Sequence, residues 1–123
     1  MSDDTTEFTA LADRYIEIWN ETDGDRRIAK TWSEAGAYAD PAATSEGHDG
    51  IDKMTAAVHE RFPGARFRRT SAVDKHNDRI RFGWALVAAD GSTIVAGVDF
   101  GTVADDGRLA SITGFFGDLA EAA

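Results

Sequence analysis

The sequence predicts an α+β domain in which three helices come first and pack on one face of a mainly antiparallel sheet. Apolar residues recur at helical spacing in the first half of the chain and alternate with polar residues after Gly64. Three turn segments rich in Asn, Asp and Gly separate the alternating stretches at hairpin spacing. Helices followed by hairpin-linked strands are typical of an α+β fold, and residues 1–123 are predicted to form one such domain.

The helical half divides into three segments. Asp4-Thr5-Thr6-Glu7 has the spacing of a capping box, which predicts the start of the first helix. Ala35–Pro41 is predicted to be extended, residues 42–50 form a loop of small polar residues, and Pro63-Gly64 ends the third helix. The predicted helices are Asp4 to about Asn20, Asp25 to about Ser33, and Ile51 to Phe62.

The alternating half is predicted to contain four strands. Asn77-Asp78, Ala89–Ser92 and Asp105–Gly107 supply the turns between them. The second strand alternates apolar with polar or small residues and is expected to be half-buried. The predicted strands are Arg66–His76, Arg79–Leu86, Thr93–Val103 and Arg108–Phe116.

Composition argues against several functional classes. The chain has 13 basic and 22 acidic residues, a formal charge of −9, which argues against nucleic acid or an anionic membrane as a partner. It has no cysteine, and its three histidines lack a second ligand at metal-binding spacing, so no metal site is predicted. No cofactor-binding motif is present either. The sequence lacks the pattern of a signal peptide or a membrane-spanning run, so a cytoplasmic location is expected.

One carboxylate stands in the most hydrophobic predicted strand. Asp99 lies within Ile94–Gly101, and glycines on its face leave room above the sheet. Burial of an unpaired carboxylate is costly, so Asp99 must be solvated, paired or held neutral. Two readings stay open: a structural residue bonded to a backbone amide or to an arginine such as Arg68 or Arg81, or a functional acid.

Two further residues are also open to both a structural and a functional interpretation. Asp40 precedes Pro41, which is a common turn start, yet alternation points it the same way as Tyr38, beside a loop of small residues. Tyr15 lies on the apolar stripe of the first helix, where most tyrosines are core residues with a bonded hydroxyl. Each of these residues is a weak signal by itself.

Seven short segments, spread over nearly the whole chain, carry a family resemblance in combination. They are Arg14-Tyr15, Trp19-Asn20, Tyr38-Ala39-Asp40-Pro41, Gly47 before Ile51, Gly97-Val98-Asp99-Phe100, Asp106-Gly107-Arg108 and Phe115-Phe116-Gly117. With these segments the chain resembles the nuclear-transport-factor-2-like superfamily, in particular its SnoaL-like and ketosteroid-isomerase branches. The resemblance implies a cone-shaped fold, in which a curved, mainly antiparallel sheet and three N-terminal helices enclose an apolar pocket.

The resemblance also implies roles for three residues. In ketosteroid isomerases one Asp moves a proton between carbon atoms, while a Tyr and a protonated Asp bind the enolate oxygen. By position, Asp40 resembles the base, Tyr15 the oxyanion tyrosine and Asp99 the protonated acid. On this reading Asp40, at a turn, keeps water access, whereas the apolar strand pushes Asp99 toward its neutral form.

The chain departs from the isomerases at one position. They support the oxyanion tyrosine with a second tyrosine on the third helix, and the matching position here is close to Thr55. In SnoaL-type polyketide cyclases an Asp and a His share the acid–base work, which makes His76 or His59 a further candidate. The alternative for His76 is a solvated residue beside a turn.

Apolar residues from the elements that face the predicted cone form the candidate ligand-binding set. Packing alone requires apolar residues on these faces, so most are expected to be core. Three tryptophans and seven phenylalanines nevertheless fit a cavity for a flat apolar ligand. The set is Trp19, Trp32, Tyr38, Met54, Val58, Phe62, Phe82, Trp84, Leu86, Ile112 and Phe116.

The leading hypothesis is a cofactor-free acid–base enzyme, an isomerase or cyclase, acting on a small apolar carbonyl compound. The alternative is a non-catalytic module that binds a small molecule or dimerises, because fold does not fix function. The pKa of Asp99 and the presence of a cavity discriminate between them. Homodimers are common in the superfamily, and the expected interface is the sheet face opposite Asp99, with Ile94, Val98, Phe100 and Phe115.

Overall fold

The computed structural model describes residues 3–21 and 27–122 of the chain. The helices are α1 (Asp3–Asn20), α2 (Ile28–Thr31) and α3 (Gly47–Arg61). The strands are β1 (Trp32–Ala39), β2 (Thr44–Glu46), β3 (Arg66–Arg69), β4 (Asp74–His76), β5 (Arg79–Val87), β6 (Thr93–Val103) and β7 (Leu109–Phe116). The predicted α+β class is confirmed.

All seven strands belong to one sheet of order β2-β1-β7-β6-β5-β3, with β4 also paired to β5. The pairs are antiparallel except that β1 runs parallel to β7. The register shifts between Leu86 and Val87 and between Thr102 and Val103, and such irregularities bend a sheet. The mainly antiparallel sheet packed against helices is therefore confirmed, and the sheet does not close into a barrel.

The second predicted helix is shorter than expected. Asp25 lies outside the described residues, and Arg27 has a left-handed backbone with φ of 58°, so the described helix begins only at Ile28. Its predicted end is also wrong, because Trp32 and Ser33 belong to β1. The first helix, in turn, already includes Asp3, so Asp4 does not stand at its start as predicted.

Two other predicted segments divide differently. Arg66–His76 forms two strands, because the chain between them folds over Gly83, whose backbone N–H donates to the Ser71 hydroxyl. The predicted loop at residues 42–50 contains β2, which pairs with β1, and the first turn of α3. For β2, pairing with β1 overrides the local composition.

The core lies between α1, α3 and the sheet. The apolar stripe predicted for the first helix is buried, with Leu11, Ala12, Tyr15, Ile18 and Trp19 in one cluster. These residues recur at steps of three and four, so they share one face of the helix. Among the described helices, none combines the length and apolarity needed to cross a membrane.

Candidate active site

A cavity of about 1080 Å³ opens between α1, α3 and one end of the sheet. Its volume is slightly larger than the roughly 300–1,000 Å³ that is common for small-molecule sites. All three residues with a predicted catalytic role, Tyr15, Asp40 and Asp99, line this cavity. So do eight of the candidate ligand-binding residues: Trp19, Tyr38, Met54, Val58, Phe62, Trp84, Leu86 and Phe116.

Three candidate ligand-binding residues lie elsewhere. Trp32, Phe82 and Ile112 are 1%, 2% and 1% exposed and are absent from the cavity wall. The rings of Trp32 and Phe82 pack edge-on against Tyr15, each with its centroid 6.0 Å from the tyrosine ring. Alternation along a strand identified the inward face correctly, but these three residues belong to the buried core cluster rather than to the cavity wall. Trp32 and Phe82 help to hold the Tyr15 ring in place.

Asp99 is hydrogen-bonded to Tyr15, the other residue to which the resemblance gives a role in binding the enolate oxygen. The Tyr15 hydroxyl donates to Asp99 Oδ2 at 2.8 Å, and Asp99 is only 4% exposed. Burial raises the pKa of Asp99 to about 7; the bond from Tyr15 opposes this shift, and the nearby charge of Asp40 adds to it. The alternative partner Arg81 instead pairs with Asp74. Asp99 is thus poised between its charged and neutral forms near neutral pH.

The Tyr15 hydroxyl stays protonated over the same pH range. Burial raises the pKa of Tyr15 well above its usual value, and the charges of Asp99 and Tyr38 add to that shift. Helix α1 presents Tyr15 from the middle of its apolar stripe, and the rings of Trp19, Trp32 and Phe82 surround it. The side chain therefore remains a hydrogen-bond donor held in one orientation.

Asp40 has a different environment at the end of β1. Its Oδ1 accepts hydrogen bonds from the backbone N–H groups of Ala42 and Ala43, at 2.7 and 2.9 Å. Its Oδ2 accepts a bond of 2.5 Å from the Tyr38 hydroxyl, which follows from the alternation that places both side chains on one face. A carboxylate offers about four lone-pair sites, so one remains for a ligand proton.

Gly114 on β7 lies where these groups meet. It pairs with Asp99 across the sheet, and a Cβ atom at this position would lie 2.7 Å from Asp99 Oδ1. The same atom would lie 3.4 Å from Asp40 Cβ and 3.8 Å from the Tyr38 hydroxyl. The missing side chain thus leaves the space in which two carboxyl groups and a phenol approach one another.

Trp84 was predicted only as an apolar lining residue, but its indole Nε1 also brings a polar N–H group close to Asp99. Its indole lies across β6, where Gly97 provides room: a Cβ atom there would lie 2.8 Å from Trp84 Cζ2. The Trp84 Nε1 and Asp99 Oδ1 atoms are both buried without a hydrogen-bond partner among the described residues. The indole N–H lowers the pKa of Asp99, although the two atoms fall short of hydrogen-bond geometry.

The histidine candidates lie away from this cavity. His76 is exposed and borders a separate groove on the sheet, beside Arg79 and Arg81. His59 is on α3, but it does not line the cavity. Thr55, the position at which isomerases carry a second tyrosine, donates its hydroxyl hydrogen bond to the Asp52 carbonyl within α3.

Sequence reasoning missed the polar atoms of Trp84, Lys53 and Arg61 and the space that Gly114 leaves. The positions of Trp84 and Gly114 depend on strand register, which the turns at Ala89–Ser92 and Asp105–Gly107 constrain but do not fix. Lys53 and Arg61 also line the cavity, and their spacing of eight on α3 was a signal that could have been read. Within the described part of the chain, no three His, Asp or Glu side chains are grouped to hold a metal ion.

Comparison with known proteins gives a consistent result. The SnoaL-like domain profile matches residues 12–112. The structure is similar to that of a candidate isomerase of the SnoaL-like family from Agrobacterium tumefaciens strain C58, with a TM-score of 0.86 and 34% sequence identity. That alignment covers 92% of this chain and 99% of the other. No curated protein matches the sequence.

Two more distant structures share the fold. A candidate SnoaL-like polyketide cyclase from Jannaschia sp. CCS1 is 21% identical, with a TM-score of 0.72 over 90% of this chain and 85% of that one. A protein with a ketosteroid isomerase-like fold from Catenulispora acidiphila, solved with trimethylamine, is 14% identical. Its TM-score is 0.70 over 85% of this chain and 82% of that one.

Proposed function

This chain belongs to the SnoaL-like family, and we propose that it is a cofactor-free acid–base enzyme acting on a small apolar carbonyl compound. The reaction moves a proton between carbon atoms, as in an isomerisation or a cyclisation. The observation that supports this most directly is the meeting of Asp40 and Asp99 at one end of the cavity in opposite environments. Pairs of titratable groups whose environments differ in this way are characteristic of acid–base sites.

Asp40 is the proposed base. It removes a proton from the carbon next to the carbonyl group, and the electron pair of that C–H bond moves to the carbonyl oxygen, forming an enolate. The same carboxyl group, now protonated, returns the proton to another carbon of the conjugated system. Tyr38 and the two backbone N–H groups position the carboxylate and leave one lone pair toward the cavity.

Tyr15 and Asp99 are the proposed donors to the enolate oxygen. Tyr15 keeps its proton, and its O–H, which bonds to Asp99 Oδ2 in the free protein, turns to the enolate oxygen when a ligand binds. Asp99 in its neutral form donates through Oδ1, which has no partner in the free protein. Both groups are buried among aromatic rings, where a hydrogen bond to a developing charge is stronger than in water. The two donors therefore stabilise the enolate more than the ketone, which is the requirement for catalysis.

The test uses exchange of hydrogen for deuterium next to a carbonyl group, followed by NMR in D₂O. A panel of apolar cyclic ketones, with 2-tetralone as the first probe, does not require the natural substrate. We expect Asp40→Asn to lower the exchange rate by about 10²- to 10⁴-fold, the usual contribution of a general base. Asp105→Asn, in an exposed turn away from the cavity, is the matched control and should leave the rate unchanged.

The role of Asp99 is tested separately. Asp99→Asn keeps a neutral donor in place and should retain part of the exchange activity, whereas Asp99→Leu removes the donor and should lose it. Equal exchange by wild-type protein and Asp40→Asn would contradict the assignment of the base. Binding of the ketones without any exchange by the wild-type protein would favour the alternative, a non-catalytic module that binds a small molecule.

A further inference from the structure

Two cations border the mouth of the cavity on the α3 side. Lys53 and Arg61 are exposed at its edge, eight residues apart on one face of the helix, with Ala57 between them. At a rise of about 1.5 Å per residue, their Cα atoms lie roughly 12 Å apart along the helix. Because the side chain of Ala57 is small, it leaves open space between Lys53 and Arg61. Both cationic side chains can therefore reach a single ligand group at the mouth of the cavity.

Neither cation has an acidic partner among the residues that the structure describes. Four other arginines of the described residues each pair with an aspartate: Arg69, Arg79, Arg81 and Arg108. The guanidinium of Arg61 lies instead over the Phe62 ring, with its central carbon 5.5 Å from the ring centroid. Because Phe62 is part of the cavity wall, this cation–π contact keeps the charge of Arg61 at the mouth.

The acidic groups that face the cavity lie away from Arg61. Asp40 is bonded to Ala43 just before β2, and Glu46 precedes the first turn of α3, whereas Arg61 is the last residue of that helix. Asp99 lies on β6. Fifteen residues separate Glu46 from Arg61, about 22 Å along the helix axis. In a chain of net charge −9, Arg61 is therefore a cation at the wall of an apolar cavity, at the end of α3 away from Glu46.

We propose that Lys53 and Arg61 bind a carboxylate carried by the substrate, at the end opposite its carbonyl group. The substrate class is then an apolar keto acid: its hydrophobic body fills the cavity, its carbonyl oxygen meets Tyr15 and Asp99, and its carboxylate stays at the mouth in contact with water. The orientation of the bound molecule rests on the proposed function; the preference for an anion at the mouth does not.

The test compares two ligands of the same shape by isothermal titration calorimetry. The first is 6-hydroxy-2-naphthoate, whose phenol mimics an enol and whose carboxylate lies at the opposite end; the second is its neutral carboxamide. We expect the wild-type protein to bind the carboxylate about 3- to 10-fold more tightly, the scale for two exposed charge contacts. The preference should fall at high salt, since exposed charges are screened.

The double variant Lys53→Met/Arg61→Met keeps the apolar stems and should bind both ligands equally. Lys30→Met/Arg68→Met removes the same net charge from exposed positions outside the cavity, and it should keep the preference for the carboxylate. Glu46→Gln should strengthen carboxylate binding slightly. A wild-type protein without preference, or a preference that survives in the Lys53/Arg61 variant, would overturn the proposal.

The proposed enzyme activity and the proposed anion site would be contradicted by different experimental results. Loss of the carboxylate preference in the Lys53/Arg61 variant supports the anion site even if the wild-type protein exchanges no ketone protons. Ketone exchange that depends on Asp40, together with equal binding of the two naphthalene ligands, would keep the enzyme and remove the anion site. Tyr15→Phe should weaken the binding of both naphthalene ligands by the same factor, because Tyr15 contacts the phenol end that the two ligands share.

Discussion

The raised pKa of Asp99 makes a quantitative prediction about folding stability. Burial moves this pKa from an ordinary 3.8 to about 7. The native state therefore holds the proton more tightly than the unfolded chain, so that stability falls as pH rises from about 3.8 to about 7. Each pKa unit corresponds to about 1.4 kcal/mol, so the full cost of ionising native Asp99 is about 4 kcal/mol.

Replacement of Asp99 by Asn removes the titration and keeps the shape. We expect the free energy of unfolding of Asp99→Asn, relative to wild type, to rise by about 4 kcal/mol between pH 4 and pH 8. The change in hydrogen bonding to Tyr15 and Trp84 adds an offset that is the same at every pH, so only the pH-dependent part is interpreted. Titrating groups that do not interact with Asp99 occur in both proteins and cancel.

Urea unfolding at constant ionic strength, at pH 4, 6 and 8, measures this difference. Asp105→Asn, which removes an exposed carboxylate, should keep a constant offset from wild type over the same range. A flat difference between wild type and Asp99→Asn would show that Asp99 ionises at an ordinary pKa in the folded protein. The proposed neutral donor would then be absent at neutral pH, and the role of Asp99 would be refuted.

Three further predictions concern the surroundings of the site and the outer face of the sheet. Gly114→Ala places a methyl group 2.7 Å from Asp99 Oδ1, so thermal or urea unfolding should show a free energy of unfolding that is lower by about 1–3 kcal/mol. The same methyl group should prevent the binding of 2-naphthol. Trp84→Phe removes an N–H that lowers the pKa of Asp99, so NMR titration of that carboxyl should show a higher pKa; a lower one would contradict this. We propose that Phe100 and Phe115, which are 44% and 50% exposed and in ring contact, form a homodimer interface. The double variant Phe100→Ser/Phe115→Ser should then sediment as a monomer. A wild-type protein that is already monomeric at micromolar concentration would rule out this interface.

Local patterns predicted the helices and the hairpin-linked strands because each of these forms within one segment or between segments that are neighbours in the chain. β5, β6 and β7 follow one another through short turns, and the predicted bounds of Thr93–Val103 are those of β6. The parallel pairing of β1 with β7 joins segments more than seventy residues apart, and no turn residue marks such a contact. The short strand β2 likewise exists because β1 provides an edge for it, although its own residues favour a loop.

For the candidate site, the sequence indicated which residues carry charge in apolar surroundings but not what they touch. Asp99 was identifiable because a carboxylate within a run of Val, Gly and Phe is unusual and costly. Its bond to Tyr15 joins residues 84 positions apart and depends on how α1 crosses the sheet. Gly114 and Trp84 also lie beside Asp99, and their positions depend on the register of three strands, which periodicity alone does not determine.

The two carboxyl groups also influence each other, and the proposed reaction uses that influence. The charge of Asp40 is one cause of the raised pKa of Asp99, so an ionised base helps to keep its neighbour neutral. When Asp40 accepts a proton from carbon its charge disappears, but the same step creates a negative oxygen beside Asp99. One negative charge is therefore present in the cavity before and after the transfer. Asp99 has an anionic neighbour throughout, so it is able to remain a donor during the whole reaction.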